Sequence, residues 1–85
     1  MNVLIVDDEP LARARLRRLL DELPGHDCVG EAADGDAALD ACLRLSPDVV
    51  LLDIRMPGRD GLSTARALAA LSVPPAVIFT TAFSD

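Results

Sequence analysis

Val3-Leu4-Ile5-Val6 and Val49-Val50-Leu51-Leu52 are unbroken apolar runs, each closed by an acid, Asp7 and Asp53. Short branched runs without polar alternation predict strands buried on both faces, the habit of a parallel sheet. Between them the period changes. Ala12, Leu16, Leu19, Leu20 and Leu23 recur at helical spacing, with Arg13, Arg17 and Arg18 off that stripe. This predicts a helix over residues 10–23, opened by Pro10 and stopped by Pro24-Gly25. Residues 28–32 read as a weaker strand, and Asp34-Gly35 as a turn. Residues 36–45 read as a second helix carrying Ala38, Leu39, Cys42 and Leu45 inward, broken by Ser46-Pro47.

After Asp53, residues 54–60 form a loop. A third helix over 61–71 places Leu62, Ala65, Leu68 and Ala69 on one side. Pro74-Pro75 precedes a fourth strand, from Ala76 to Thr80 or Thr81. The order βαβαβαβ without repeats or linkers predicts one α/β unit with a parallel sheet and right-handed crossovers.

Composition narrows the function. The chain has 85 residues, 14 acidic and 8 basic, for a net charge of −6. That balance argues against direct nucleic-acid binding and against anionic lipid. Every basic residue is Arg, so neither a Schiff-base Lys nor a P-loop Lys is available. The aromatics are two Phe, which make no stacking platform for single-stranded nucleic acid. No run approaches the ~18 apolar residues of a membrane span. The start lacks the basic and longer apolar regions of a signal peptide, and Cys28 and Cys42 form no metal or disulfide framework. A reduced, cytoplasmic protein is expected.

The candidate chemistry lies at the strand ends. If the first and third strands are neighbours, Asp7, Asp8 and Asp53 converge at one sheet edge, beside Thr80-Thr81. Ligands of open α/β sheets bind beyond these carboxyl ends. Taken singly, such acids cap the next element. Taken together they are costly: two unit charges ~5 Å apart repel by roughly 3 kcal/mol at an effective dielectric of ~20. A hard divalent cation such as Mg2+ would resolve the conflict, and it points to phosphoryl transfer. The glycines spell no dinucleotide fingerprint. His26 is expected in solvent, and Arg13, Arg15, Arg17 and Arg18 on a solvated helix face.

The runs Val3-Leu4-Ile5-Val6-Asp7-Asp8-Glu9-Pro10 and Asp48-Val49-Val50-Leu51-Leu52-Asp53-Ile54-Arg55-Met56-Pro57-Gly58-Arg59-Asp60-Gly61, with Thr81-Ala82, resemble a two-component response-regulator receiver domain. Stretches 1–20, 53–61 and 75–82 look closest to LytTR-type regulators. The resemblance implies a flavodoxin-like fold and, as partner, a sensor histidine kinase that phosphorylates Asp53. It implies Mg2+ held by Asp8 directly, by Asp7 through water, by Asp53, and by the backbone carbonyl of Arg55. Thr81 would contact the phosphoryl group and act as the switch, and Met56-Pro57 and Gly61 would shape the loop. The module would not be an enzyme beyond catalysing its own phosphorylation.

The family's fold continues with a fifth strand, which begins with a Lys, and two more helices. Residues 1–85 are therefore expected to be the N-terminal portion of a truncated receiver, without its DNA-binding output domain. In the family's strand order, 2-1-3-4-5, the fourth strand is internal. Here the uncharged run Ala76-Val77-Ile78-Phe79 would lie at an edge, which predicts a homodimer or aggregation. The rival readings are an interaction module that is never phosphorylated and an aspartate-nucleophile phosphatase. The latter wants an Asp-x-Asp where this chain has Asp7-Asp8.

Overall fold

The computed structural model describes residues 1–56 and 60–80. Four strands and three helices alternate: β1 (Asn2–Val6), α1 (Pro10–Asp21), β2 (Asp27–Ala32), α2 (Gly35–Leu45), β3 (Val49–Asp53), α3 (Gly61–Ala69) and β4 (Ala76–Thr80). The strands form one parallel sheet in the order β2-β1-β3-β4. This is the flavodoxin-like strand order.

Side chains of a strand alternate between its faces, and the core divides accordingly. Leu4, Val6, Val50 and Leu52 face α2 and α3, packing with Ala38, Ala41, Cys42, Met56 and Leu68. Val3, Ile5 and Val49 face α1 and pack with Leu20, Leu16, Cys28 and Leu51. Each fully buried Leu, Ile or Val contributes on the order of 1.5–3 kcal/mol. These strands therefore read as continuous apolar runs because both faces are covered.

Local chemistry sets the helix ends. Asp34 Oδ1 accepts from the Ala37 N–H at 2.8 Å, and Asp60 Oδ1 from the Ser63 N–H at 2.7 Å. Ser46, with φ of 46°, takes the left-handed position that closes α2. The first helix has Pro10 in its opening turn and no side-chain cap on its N-cap residue, Glu9. The Glu9 N–H instead donates to Asp7 Oδ1 at 2.9 Å, tying the start of the helix to the end of β1.

Several expected positions differ. The first helix ends at Asp21, and Leu19 and Leu23 are about half exposed. A single helix against a sheet buries a stripe narrower than its apolar set, and Leu16 with Leu20 fills it. On α3 the inward residues are Gly61, Thr64, Ala65 and Leu68, while Leu62 and Ala69 face out. The inward set keeps the i, i+3, i+4, i+7 spacing; it shares Ala65 and Leu68 with the expected stripe and takes Gly61 and Thr64 in place of Leu62 and Ala69. His26 is half-buried, lining an apolar groove of about 130 Å3 with Met1, Val3, Leu20, Leu23, Val49, Leu51 and Ile78. Among the described residues β4 is a sheet edge, with Ile78 and Phe79 exposed. No helix among them is long and apolar enough to cross a membrane.

Candidate functional site

The central pair of strands carries the site. Val6 of β1 stands beside Leu52 of β3, so the following residues, Asp7 just beyond β1 and Asp53 at the end of β3, stand side by side. Oxygens of Asp7, Asp8 and Asp53 all lie within 4.8 Å of one another. Asp7 and Asp53 are buried and Asp8 is more open.

Backbone groups orient these acids. The Arg55 N–H donates to Asp53 Oδ1 at 3.1 Å, fixing that carboxylate over the start of the next loop. The Asp7 N–H continues the sheet ladder to the Ala32 carbonyl at 3.0 Å. Burial pushes the Asp7 carboxyl above its usual range. The bond from Glu9 opposes that shift, and the nearby charges of Asp53, Asp8 and Glu9 add to it. Burial leads, and the neighbouring carboxylates further disfavour the charged form. Three hard oxygen donors within this spacing fit an oxygen-preferring divalent cation such as Mg2+.

Of the other expected residues, Arg55 is exposed beside Asp53, and Met56 is buried in the core. Thr80 pairs with Asp53 across the β3–β4 register. Thr81, Pro57 and Gly58 lie outside the described residues. Gly61 brings α3 against the end of β3, its N–H donating to the Ile54 carbonyl at 2.9 Å.

Arg13 departs from its expected place on a solvated face. Its Nη1 donates to the Asp7 backbone carbonyl at 2.8 Å, and its Nε pairs with Glu31 at 3.0 Å. Arg17 pairs with the same Glu31 at 3.2 Å. The signal was present in sequence as an Arg six residues after the first acid, one turn into a helix. Its partner Glu31 could be found only once β2 was placed beside β1.

The response regulator receiver domain profile matches residues 3–85. The chain belongs to the response-regulator receiver family. This receiver is 56% identical, over its whole length, to the positive alginate biosynthesis regulatory protein of Pseudomonas aeruginosa, of which it covers 35%. It is 47% identical over 93% of its length to the nitrate/nitrite response regulator protein NarP of Escherichia coli, covering 37% of that protein. The receiver thus spans about a third of the length of these curated relatives.

Among solved structures, the response regulator domain of Thermotoga maritima CheB superposes with a TM-score of 0.91 at 32% identity. All of this receiver and 63% of that chain are covered. The signal receiver domain of the putative response regulator NarL from Mycobacterium tuberculosis gives 0.89 at 40% identity, covering 99% of this receiver and 68% of that chain. Receiver domains are regulatory modules of two-component systems.

Proposed function

We propose that Asp53 accepts a phosphoryl group from the phosphohistidine of a sensor histidine kinase. The observation that carries this reading is the convergence of Asp7, Asp8 and Asp53 at the carboxyl edge of the two central strands. An Asp53 oxygen attacks phosphorus, the phosphorus–nitrogen bond breaks, and the histidine leaves with its electron pair. Transfer of this kind depends chiefly on positioning and on charge compensation.

In this reading Asp8 binds Mg2+ directly, Asp7 binds it through water, and Asp53 and the Arg55 carbonyl complete the protein ligands. Bound Mg2+ would supply positive charge against the phosphoryl oxygens. The Arg55 N–H holds Asp53 in place. Thr81 would donate its hydroxyl to the phosphoryl group and switch with it. Residues 1–85 would form the N-terminal portion of the receiver, acting in the cytoplasm and signalling to a LytTR-type DNA-binding output elsewhere in the protein. The identity to the alginate regulator supports that choice of output.

Labelling with acetyl phosphate and Mg2+, followed by mass spectrometry, tests the reading. One phosphoryl group on Asp53, absent from Asp53→Asn, is expected, formed more slowly by residues 1–85 than by a receiver that carries the fifth-strand Lys. An unlabelled folded protein would favour the second reading, an interaction module that is not phosphorylated. Its supporting observation is the apolar exposure of Ile78 and Phe79 on β4, which suits a homodimer. Light scattering across a dilution series reads that association directly.

A further inference from the structure

We infer that Arg13 is a positioning residue of the acidic site, setting the peptide plane between Asp7 and Asp8 on which Mg2+ binding depends. The inference rests on the metal reading above and adds a residue that does not touch the ion.

The peptide groups around Asp7 are pinned in turn. The Asp7 N–H is held by Ala32 of β2 at 3.0 Å. Its side chain accepts from the Glu9 N–H at 2.9 Å. Its carbonyl has left the sheet, because the chain turns towards α1 after this residue, and it accepts from Arg13 Nη1 at 2.8 Å. That carbonyl and the Asp8 N–H belong to one rigid plane. Fixing the carbonyl therefore fixes the direction in which Asp8 departs.

The guanidinium is itself held. Glu31 takes Arg13 Nε on one oxygen and Arg17 Nη1 on the other. Glu31 directly precedes Ala32 in β2, and the Ala32 carbonyl receives the Asp7 N–H. The contacts close a circuit from β2 through Arg13 to the β1–α1 turn and back to β2. The Arg13 side chain is 19% exposed and that of Glu31 is 31% exposed, so the fork is sheltered compared with the surface pair Arg44–Asp40. A planar fork can serve a carbonyl and a carboxylate together, whereas a Lys ammonium has no such fixed spread. Because the contact to Asp7 is with the main chain, Arg13 acts on where the carboxylates sit.

The test is the Mg2+ dissociation constant of the 85-residue chain by titration calorimetry, at a temperature where circular dichroism shows every variant folded. Arg13→Ala should weaken binding by about tenfold, the scale of losing a group that orients a metal ligand. Leu16→Ala loosens the packing of α1, and Arg44→Ala removes a positive charge elsewhere. Both should stay within about twofold of the parent protein. The Asp8 amide nitrogen resonance, which responds to the hydrogen bond on the preceding carbonyl, should move in Arg13→Ala and hold in the two controls.

Parental Mg2+ affinity in folded Arg13→Ala would overturn the inference, as would an equal loss in Leu16→Ala. If Arg13→Ala does not fold, Arg13→Lys decides. It is expected to bind at least about threefold more weakly, and unchanged affinity would overturn the inference. Absence of Mg2+ binding by the parent protein would overturn the metal reading itself and this inference with it.

Discussion

Gly61 stands directly against the backbone of Asp53. A Cβ at Gly61 would lie 2.5 Å from the Asp53 carbonyl oxygen and 2.5 Å from the Ile54 Cα. Both are backbone atoms at the end of β3, so neither can rotate away. The bare glycine lets α3 begin beneath the strand end that carries the candidate phosphoacceptor.

Gly61→Ala should therefore lower stability by about 1–3 kcal/mol, the usual cost of overpacking. It should also weaken Mg2+ binding, because relief of the clash moves the chain at Asp53. Urea melts and Mg2+ titration of the variant check both effects. An unchanged midpoint would mean that α3 can shift without cost.

The raised Asp7 carboxyl gives a pH dependence with a definite sign. A group whose folded pKa lies above its unfolded value binds protons more tightly in the folded state. Its stabilising contribution is complete below the unfolded value and is lost as pH rises through the folded one. Asp7→Asn keeps an oxygen to accept from Glu9 and removes the charge. Without Mg2+ it should melt above the parent protein at neutral pH, and the gain should shrink as pH falls through the carboxylate range. Melting temperatures of both proteins across that range measure it. A pH-independent difference would point to packing instead of charge.

Asp53→Asn should likewise raise the melting temperature in Mg2+-free buffer, since it removes one member of the crowded trio and keeps an acceptor for the Arg55 N–H. Millimolar Mg2+ should stabilise the parent protein more than the variant. At 100 times its dissociation constant, a ligand specific to the folded state contributes about 2.7 kcal/mol. Melts of the two proteins with and without Mg2+ check this. A variant that melts lower in Mg2+-free buffer would give Asp53 a structural role.

Thr64 is fully buried, and its Oγ1 has no hydrogen-bond partner among the described residues. A buried hydroxyl without a partner costs about 1–3 kcal/mol. Thr64→Val preserves the shape and removes that group, so it should raise the urea midpoint without changing the denaturant slope. A lower midpoint would show that the hydroxyl finds a partner in solution.

Strand and helix identities were legible because their cause is local and periodic. Val3-Leu4-Ile5-Val6 and Val49-Val50-Leu51-Leu52 have no polar face to offer water, so burial on both sides was the available solution. The acids at their ends were visible as candidates for the same reason, since each marks where an apolar run stops. The helix edges were less legible. Leu19, Leu23 and Leu62 have the same apolar chemistry as Leu16, Leu20 and Leu68, and only the shape of the surface opposite decides which are covered.

By itself the sequence determined the order of elements, the parallel habit of the sheet and the residues able to carry the chemistry, because hydrophobic period and side-chain type act within a few positions. The pairing of β1 with β3 was decided only in three dimensions, and with it the meeting of Asp7 and Asp53, which are 46 residues apart in the chain. So were the Arg13 clamp and the approach of Gly61 to Asp53. Each depends on the relative position of two elements to within about an ångström. That position follows from how the two faces of the sheet pack as a whole, and no local pattern in the chain encodes it.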